Sequence, residues 1–339
     1  MENNILYTKA KEAHKTEIEL CFKELQKAEN ILITTHLNPD GDAIGSELAL
    51  YKWLKSQGKN TQIVNSSPTP CNCQFLDKGN EIKVFDPQNP PDIEQDCVIC
   101  FLDVGEWERL GKISKWLKST QNLKICIDHH QDSNGIADIS WVDTESAATG
   151  EMIFLLLKEA DAEITLDIAL ALYTAIATDT GSFRYANTRA VSHQIIAELL
   201  SYGVKVSEVE SAINEKNSWN KMWIFGDVLS TLKSKAKGKI AWTCITMEQM
   251  NKTGAQVEDL DGLVELFRTI EEVAIGILFR EMDKNKTKIN LRAKGHYDMA
   301  KLAGQFGGGG HIGAAGAVVE KPMSELIPNV LKAAEQLVE

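Results

Sequence analysis

The stretch KICIDHH (residues 124–130) is a short apolar run that stops at a group of polar residues. Its length and composition predict a buried strand. The strand ends in one carboxylate and two imidazoles, which belong to Asp128, His129 and His130. Two other segments share this design, ILITTH (31–36) and CVICFLD (97–103). The sequence therefore predicts several strands that end in side chains able to bind metal ions or substrates.

Helical segments separate these strands along the chain. One of them, DAIGSELALYKWLKSQG (42–58), closes on Gly58, a residue typical of helix ends. Strands that alternate with helices indicate a parallel sheet covered by helices, and therefore an α/β fold. In such sheets, functional sites form beyond the carboxyl ends of the strands. We therefore expect the polar strand endings to converge.

The pattern changes near residue 236, where a second and smaller domain is predicted. The segments KIAWTCITM, VAIGILFREM and TKINLRAKG are strand-like, and DMAKLAGQF has the spacing of an amphipathic helix that runs into GGGGH. The residues before this domain look helical with interruptions. We predict an N-terminal parallel-sheet domain (1–190), a helical linker (191–235) and a smaller α/β C-terminal domain (236–339).

The formal net charge of −12 argues against one class of function. A protein that binds long nucleic acid needs a broad basic surface, which this chain as a whole does not supply. Small anionic ligands stay compatible if positive charge is concentrated locally or if metals supply it. No apolar run approaches the roughly 20 residues needed to span a bilayer, and the charged N-terminus lacks the apolar core of a signal peptide. We expect a cytoplasmic protein without membrane contact.

The seven cysteines are scattered along the chain, which does not suggest a disulfide framework. Cys97 and Cys100 have the spacing of some zinc ligands. However, they lie in a predicted strand, where side chains three residues apart point to opposite faces. We therefore do not expect a structural zinc at these cysteines.

The segment HLNPDGDAIGS (36–46) places a histidine and two aspartates in a turn between a strand and a helix. Alone, Asp40 and Asp42 can be turn and helix-capping residues. The full set of polar residues at predicted element ends is His36, Asp40, Asp42, Asp103, Asp128, His129, His130 and Asp179. So many carboxylates close together would repel one another and would be costly to bury without cations.

Divalent metals remove that cost, and the ligand types indicate which metals. Carboxylate and imidazole ligands without thiolates suit Mn²⁺ or Mg²⁺ better than a structural zinc. One ion would use about three of these groups, so the size of the set predicts two ions that share a bridging carboxylate. Two metals roughly 3.5–4 Å apart lower the pKa of a bridging water and stabilise oxygen charge in phosphoryl displacement. The sequence therefore predicts hydrolysis of phosphate esters or anhydrides.

Several segments resemble the motifs of a known family. HLNPDGDAIGS, FLDVGEWERLG with Asp103, IDHH and ATDTGSFRYANT look like the four sequential motifs of the DHH phosphoesterase superfamily. NLRAKG and FGGGGHIGAAGA look like its DHH-associated domain 1. The resemblance extends from about residue 28 to 335 and is closest to nanoRNase enzymes, oligoribonucleases that also dephosphorylate 3′-phosphoadenosine-5′-phosphate. It implies that the N-terminal domain is catalytic and the C-terminal domain binds substrate.

The resemblance also implies a role for each polar residue. The implied ligands are His36, Asp40 and Asp103 for one Mn²⁺, and Asp42, Asp103, His129 and Asp179 for the other. Asp103 would bridge the two ions. His130 would contact the substrate phosphate and help stabilise or protonate the leaving oxygen, and Asp128 would orient its neighbours. Asp103, His130 and Asp128 thus form the implied catalytic set.

The C-terminal glycine tract has two interpretations. Four glycines can be a flexible linker. Here they follow an amphipathic helix and precede His311 and a second run of small residues. Close approach of the backbone to a ligand explains small residues on both sides of His311 better than a flexible linker does. The N–H groups of Gly308, Gly309 and Gly310 would then bind a phosphate, and His311 would add a hydrogen bond or a charge.

Two arginines are further candidates for phosphate binding. Arg292 resembles the phosphate-binding arginine of the family and lies in a basic segment, residues 280–301. The lysines of that segment are better explained as a solvated hairpin. Arg184 could contact phosphate as well, although a surface salt bridge competes with that interpretation.

The predicted function is metal-dependent, exonuclease-type hydrolysis of short oligonucleotides (nanoRNA) to mononucleotides. The enzyme would also convert 3′-phosphoadenosine-5′-phosphate to AMP, in both cases with a hydroxide held between the metals. Short RNA or DNA oligonucleotides and bisphosphorylated nucleosides are the expected substrates, because a ligand must reach both domains across one cleft. The nearest alternative is hydrolysis of linear or cyclic dinucleotides such as pGpG or cyclic-di-AMP. Outside enzymes, the alternative is a nucleotide-binding regulator. A homodimer is compatible with the family.

Overall fold

The computed structural model describes residues 5–131 and 135–338. They form two compact units, with the division between Lys216 and Asn217. Each unit is built around one six-stranded sheet.

The first unit contains a fully parallel sheet. Its strands are β1 (Asn30–Thr34), β2 (Asn60–Asn65), β3 (Ile82–Val84), β4 (Val98–Leu102), β5 (Lys124–Asp128) and β6 (Ile139–Val142). Its α-helices, in the described residues, are α1 (Ile5–Ala13), α2 (Lys15–Lys27), α3 (Gly41–Ser56), α4 (Ser114–Ser119), α5 (Thr149–Glu159), α6 (Leu166–Asp179), α7 (Ala190–Ser201) and α8 (Val206–Asn214). The strand order is β3-β2-β1-β4-β5-β6, and every neighbouring pair is parallel.

The central strand β4 is apolar along its whole length because both faces of the sheet are covered. In β4, Cys100 and Leu102 belong to one buried cluster, whereas Ile99 and Phe101 belong to a second one. All five residues of this strand are buried. Cys97 lies in the second cluster and Cys100 in the first, so the two cysteines are on opposite faces, as the spacing predicts.

Close packing of α3 against α6 positions the segment that follows β1. Gly45 lies where a Cβ atom would collide with the backbone oxygen of Ala171 and with the side chain of Ala175. Only glycine permits this approach without moving the helices. The beginning of α3 and the end of α6 both carry predicted ligands, so this contact matters for the site described below.

The second unit contains a mixed sheet. Its helices are α9 (Trp219–Leu229), α10 (Met247–Thr253), α11 (Leu263–Phe267), α12 (Met299–Gly304) and α13 (Met323–Val338), again among described residues. Its strands are β7 (Lys233–Lys235), β8 (Ile240–Ile245), β9 (Ile275–Asp283), β10 (Lys286–Ala293), β11 (Gly309–His311) and β12 (Ala314–Val319). The order is β11-β12-β10-β9-β8-β7, in which β8 and β9 are parallel and the other neighbours antiparallel.

The predicted α/β fold, with an N-terminal parallel sheet, a helical stretch and a smaller C-terminal domain, is confirmed. The compact units divide the helical stretch at one point. Helices α7 and α8 lie in the first unit and α9 lies in the second, whereas the predicted linker (191–235) covers all three except the first residue of α7. Across the two described ranges, no helix has the length and apolarity required to cross a membrane.

Candidate metal centre

Three neighbouring strands bring polar residues to one edge of the first sheet. In the order β1-β4-β5, the segments after these strands lie side by side, because parallel strands end at the same edge. His36 follows β1, Asp103 follows β4, and the pair His129–His130 follows β5. The sheet thus brings together residues that are far apart in the chain, since His36 and His130 are separated by 94 positions.

Asp103 lies between two imidazoles. Its Oδ2 atom is 3.4 Å from His36 Nε2, and its Oδ1 atom is 3.5 Å from His129 Nε2. The side chain is only 2% exposed. The backbone has a φ of 58°, in the left-handed region that costs a non-glycine residue about 1 kcal/mol or more. Such a conformation persists where the surroundings require it, and here it accompanies a buried carboxylate that faces both histidines.

Asp40 is the N-cap of α3, so the capping interpretation holds for this residue. One carboxylate oxygen, Oδ1, accepts the backbone N–H groups of Asp42 at 3.0 Å and Ala43 at 3.1 Å. A carboxylate has two oxygens, so capping does not exclude a second role. One ligand atom each of His36, Asp40 and Asp103 lie within 4.8 Å of one another. Asp40 is therefore both a helix cap and a candidate ligand.

Asp42 is fully buried and held by the start of another helix. Its Oδ2 atom accepts the N–H of Thr149 at 2.7 Å, and its Oδ1 atom accepts the N–H of Gly150 at 2.9 Å. Ser46 Oγ donates to Oδ1 at 3.2 Å. Burial raises the pKa of Asp42 well above its ordinary value, and the charge of Asp103 adds to this effect, whereas the Gly150 N–H opposes it. A cation would stabilise the ionised form of this carboxylate.

Asp179 approaches the same group from the last turn of α6. Its Oδ2 atom is 3.6 Å from His129 Nε2, which is also 3.8 Å from Asp42 Oδ2. Burial raises the pKa of Asp179 to about 6, the nearby His129 lowers it, and the charge of Asp103 raises it again. The structure therefore places three carboxylates around one imidazole nitrogen.

The Nδ1 contacts of His36 and His129 are those expected of histidines that bind a metal ion through Nε2. The Nδ1 atom of His36 is 3.0 Å from the carbonyl of Leu37, and that of His129 is 3.2 Å from the carbonyl of Ser146. A carbonyl only accepts, so Nδ1 carries a proton in each ring, and in the neutral ring the Nε2 lone pair faces the carboxylates. His36 Nε2 is buried and makes no regular hydrogen bond in the described residues, although Asp103 Oδ2 lies 3.4 Å away. A lone pair against a carboxylate is repulsive, and a cation between them makes it favourable.

The six predicted ligands divide into two groups of three. Ligand atoms within 4.8 Å of one another are found in His36, Asp40 and Asp103, and in Asp42, His129 and Asp179. A third group consists of Asp103, His129 and His130. Asp103 joins the first two groups because it also contacts His129. The arrangement can hold two cations with Asp103 between them.

His130 differs from its neighbour in exposure and in partner. Its side chain is 34% exposed, compared with 13% for His129, and its Nδ1 atom is 2.7 Å from Asp128 Oδ1. Burial lowers the pKa of His130, but the hydrogen bond to Asp128 and the charge of Asp103 outweigh this and leave it raised. Asp128 is fully buried and also accepts the backbone N–H of His130 at 3.3 Å. Asp128 thus fixes the ring of His130.

The segment Ser146–Gly150 is a part of the site that the sequence interpretation missed. Besides its bonds to Asp42, Thr149 donates through Oγ1 to Asp103 Oδ1 at 3.0 Å. The carbonyl of Ser146 accepts from His129. The sequence signal was the small-residue run SAATG before an apolar helix, which indicates only a helix start.

Two of the predicted phosphate-binding residues have partners inside their own units. Arg184 is exposed and donates from Nε to the carbonyl of Gly181 at 2.7 Å. Arg292 on β10 donates from Nε to Glu265 Oε1, also at 2.7 Å. A phosphate at Arg292 would therefore bind beside, or in place of, the Glu265 carboxylate.

The glycine tract is an ordered strand rather than a flexible linker. Gly309, Gly310 and His311 pair with β12 in antiparallel register. A Cβ atom on Gly310 would lie 2.6 Å from the backbone of Ala314 and Ala315, and φ is +144° there. A Cβ atom on Gly308 would collide with Gly316. These two glycines are therefore required by strand packing, whereas Gly309 has open space beside it.

Arg292 and His311 occupy the same row of this sheet. Both pair with Ala314, one from β10 and the other from β11. The side chain of His311 lies outside the described part of the structure. Its predicted hydrogen bond or charge therefore stays a prediction.

Comparisons with known proteins agree with this division into two parts. The DHH family, N-terminal domain, matches residues 30–176, and the DHHA1 domain matches residues 228–339. The bifunctional oligoribonuclease and PAP phosphatase NrnA of Thermus thermophilus is 33% identical over 290 residues, which cover 86% of this chain and 84% of that protein. The Bacillus subtilis protein of the same name is 25% identical over 308 residues, with 90% and 93% covered.

A solved structure shows the same fold over nearly the full length. It is an exopolyphosphatase-related protein from Bacteroides fragilis, 29% identical, with a TM-score of 0.87 and coverage of 95% of this chain and 96% of that chain. The chain belongs to the DHH family of phosphoesterases and carries a DHHA1 domain in its C-terminal part.

Proposed function

We propose that this phosphoesterase hydrolyses short oligonucleotides to mononucleotides and 3′-phosphoadenosine-5′-phosphate to AMP. The observation that carries the proposal is the buried Asp103 carboxylate, which faces His36 through one oxygen and His129 through the other. This is a donor arrangement for two divalent cations. The two relatives described above are both named as oligoribonucleases and PAP phosphatases, which supports the choice of substrates.

The proposed ligands are His36, Asp40 and Asp103 for one cation, and Asp42, Asp103, His129 and Asp179 for the other. Oxygen and imidazole donors suit Mn²⁺, with Mg²⁺ as the alternative. Divalent cations there would supply Lewis acidity toward the phosphate oxygens and would acidify a water molecule. The chain contributes fixed ligand directions, since His36 and His129 are each oriented by a hydrogen bond from Nδ1 to a backbone carbonyl.

We propose that His130 contacts the substrate phosphate and protonates the leaving oxygen. Its Nδ1 atom is engaged by Asp128, so Nε2 is the nitrogen left for the substrate phosphate. The raised pKa favours the protonated ring, which can neutralise phosphate charge and transfer the Nε2 proton to the leaving oxygen. Asp128 keeps the ring in place, and the 34% exposure of His130 leaves it accessible to a substrate.

In the second unit, we propose that Arg292, the segment Gly308–Gly310 and His311 bind a phosphate group of the nucleotide other than the one that is hydrolysed. A guanidinium matches phosphate in charge and geometry. Gly309 is exposed, and nothing lies within 4 Å of the position that a Cβ atom would occupy, so a ligand can approach this residue from that side. A local phosphate site of this kind suits short substrates, because a long polymer would need an extended basic track.

A substrate panel tests the proposed function. Purified protein with Mn²⁺ should release mononucleotides from a labelled RNA dinucleotide and a 5-mer, and AMP from 3′-phosphoadenosine-5′-phosphate. Asp103→Asn, which has nearly the same shape, is the matched inactive control. Hydrolysis restricted to pGpG or cyclic-di-AMP would replace the proposed substrates by dinucleotides. No hydrolysis of any compound would indicate a nucleotide-binding regulator and overturn the proposal.

A further inference from the structure

The segment Ser146–Gly150 links three proposed ligands. The carbonyl of Ser146 accepts from His129, and Thr149 donates to both Asp42 and Asp103. The position of this segment therefore affects three of the four groups proposed for the second cation. These hydrogen bonds of Ser146 and Thr149 do not involve the fourth group, Asp179.

One amide side chain supplies the missing link. The Nδ2 atom of Asn187 donates to the carbonyl of Ala147 at 3.0 Å and to the carbonyl of Asp179 at 3.1 Å. An amide nitrogen has two protons, so both are used. Ala147 lies in the chain between Ser146 and Thr149, and the N–H groups of Thr149 and Gly150 hold Asp42. The Asn187 amide thus ties the backbone of Asp179 to the segment that holds the other three groups.

An ion pair between the buried Glu151 and the partly exposed Arg189 supports the same segment. Glu151 Oε2 accepts the N–H of Ala147 at 3.1 Å and the guanidinium of Arg189 at 3.1 Å. Glu151 is 1% exposed. Ala147 is therefore held at its N–H by Glu151 and at its carbonyl by Asn187. Asn187 directly, and Arg189 through Glu151, thus hold the two peptide groups that flank the Cα atom of Ala147.

We infer that Asn187 is a positioning residue of the metal centre, one that sets the distance between Asp179 and the group formed by Asp42, Asp103 and His129. This inference rests on the proposed function, since it concerns the proposed second cation site. Partners of metal ligands typically change metal affinity about 10- to 100-fold when they are removed. Asn187→Asp keeps the shape but replaces the donor by a carboxylate, which two carbonyl oxygens repel.

The test is Mn²⁺ binding, followed by the electron paramagnetic resonance signal of free Mn²⁺. The parent should bind two ions. In Asn187→Asp and Asn187→Ala, one of the two sites should weaken about 10- to 100-fold, while the site formed by His36, Asp40 and Asp103 keeps its affinity. Asn187→Ser retains one donor and should lie between the parent and Asn187→Ala. It also provides a measurement if the aspartate variant does not fold.

Asn122 offers a matched control. Its amide clamps backbone carbonyls in the same way, those of Glu94, Gln95 and Cys97 at 2.9, 3.2 and 2.9 Å, but near the opposite ends of the strands. Asn122→Asp should lower thermal stability and leave both Mn²⁺ affinities unchanged. Unchanged binding in the Asn187 variants, or equal losses in the Asn122 control, would overturn the inference. A parent protein that binds no Mn²⁺ would instead overturn the proposed function.

Discussion

Glu47 is a buried acid in the middle of α3, and its removal gives a quantitative prediction. The side chain is fully buried, and its Oε2 atom accepts from Asn65 Nδ2 at 2.8 Å. Its Oε1 atom has no hydrogen-bond partner in the described residues. Burial raises the pKa of Glu47 to about 8, the hydrogen bond from Asn65 opposes this, and the charge of Asp103 adds to it.

The sign of the pH dependence follows from the proton count. The folded protein holds the Glu47 proton up to about pH 8, whereas the unfolded chain releases it near the ordinary value of 4.5. The folded state therefore binds more protons between these values, and stability falls as the pH rises. At about 1.4 kcal/mol per pH unit, the loss is about 2 kcal/mol at pH 6 and about 5 kcal/mol at pH 9.

Glu47→Gln removes this loss, because the amide resembles the protonated acid and cannot ionise. We expect the unfolding free energy of the variant, relative to the parent, to increase by about 3 kcal/mol between pH 6 and pH 9. Urea unfolding of metal-free protein, followed by far-UV circular dichroism, measures the difference at each pH. The comparison of two proteins at the same pH cancels the titration of all other groups.

Glu163→Gln is the control, since Glu163 is an exposed glutamate of the same unit. Its stability difference from the parent should stay constant over this pH range. A constant difference for Glu47→Gln as well would refute the assignment of a protonated, buried acid. In that case water or a cation would have to compensate the Glu47 charge.

Three further variants test the proposed roles in the site. Asp103→Asn should lower kcat about 10³-fold or more; retention of kcat with weaker substrate binding would contradict a bridging ligand. His130→Gln should lower kcat about 10²- to 10⁴-fold with little change in KM. The decrease in kcat should be smaller for substrates with a better leaving group. An equal decrease for all leaving groups would exclude proton transfer by His130. Arg292→Ala should raise KM about 10- to 100-fold, since a hydrogen bond to a charged group contributes about 1.5–3 kcal/mol. Lys288→Ala, on the same strand, should leave KM unchanged. Equal increases in KM for both variants would indicate a general basic surface.

The support of the ligands could not be predicted from the sequence. Asp42 and Thr149 are 107 positions apart, and their hydrogen bond exists because α5 begins beside α3 in the folded unit. The burial of Asn187 and Glu47 could not be predicted either, since an asparagine in a loop and a glutamate in a helix usually face water. Their roles depend on burial, which is a property of the packed unit.

The glycine tract shows how one pattern can have two physical causes. Close approach of the backbone was predicted, and the structure attributes it at Gly308 and Gly310 to the neighbouring strand β12. Sequence alone could not separate a close ligand from a close strand, because both require the absence of a Cβ atom. Arg292 is a similar case, since its Glu265 partner comes from a helix elsewhere in the unit.

The sequence was enough to predict the α/β class, the order of the two parts and the polar residues at element ends, from which the resemblance to the DHH family selected the candidate ligands. It could do so because apolar periodicity marks strands and helices locally, and because parallel strands must present their ends at one edge. The tertiary structure alone decided which oxygen of Asp103 faces which histidine, how the histidine protons are placed, and which distant groups hold the carboxylates. Those features depend on contacts between segments far apart in the chain, and no local pattern encodes them.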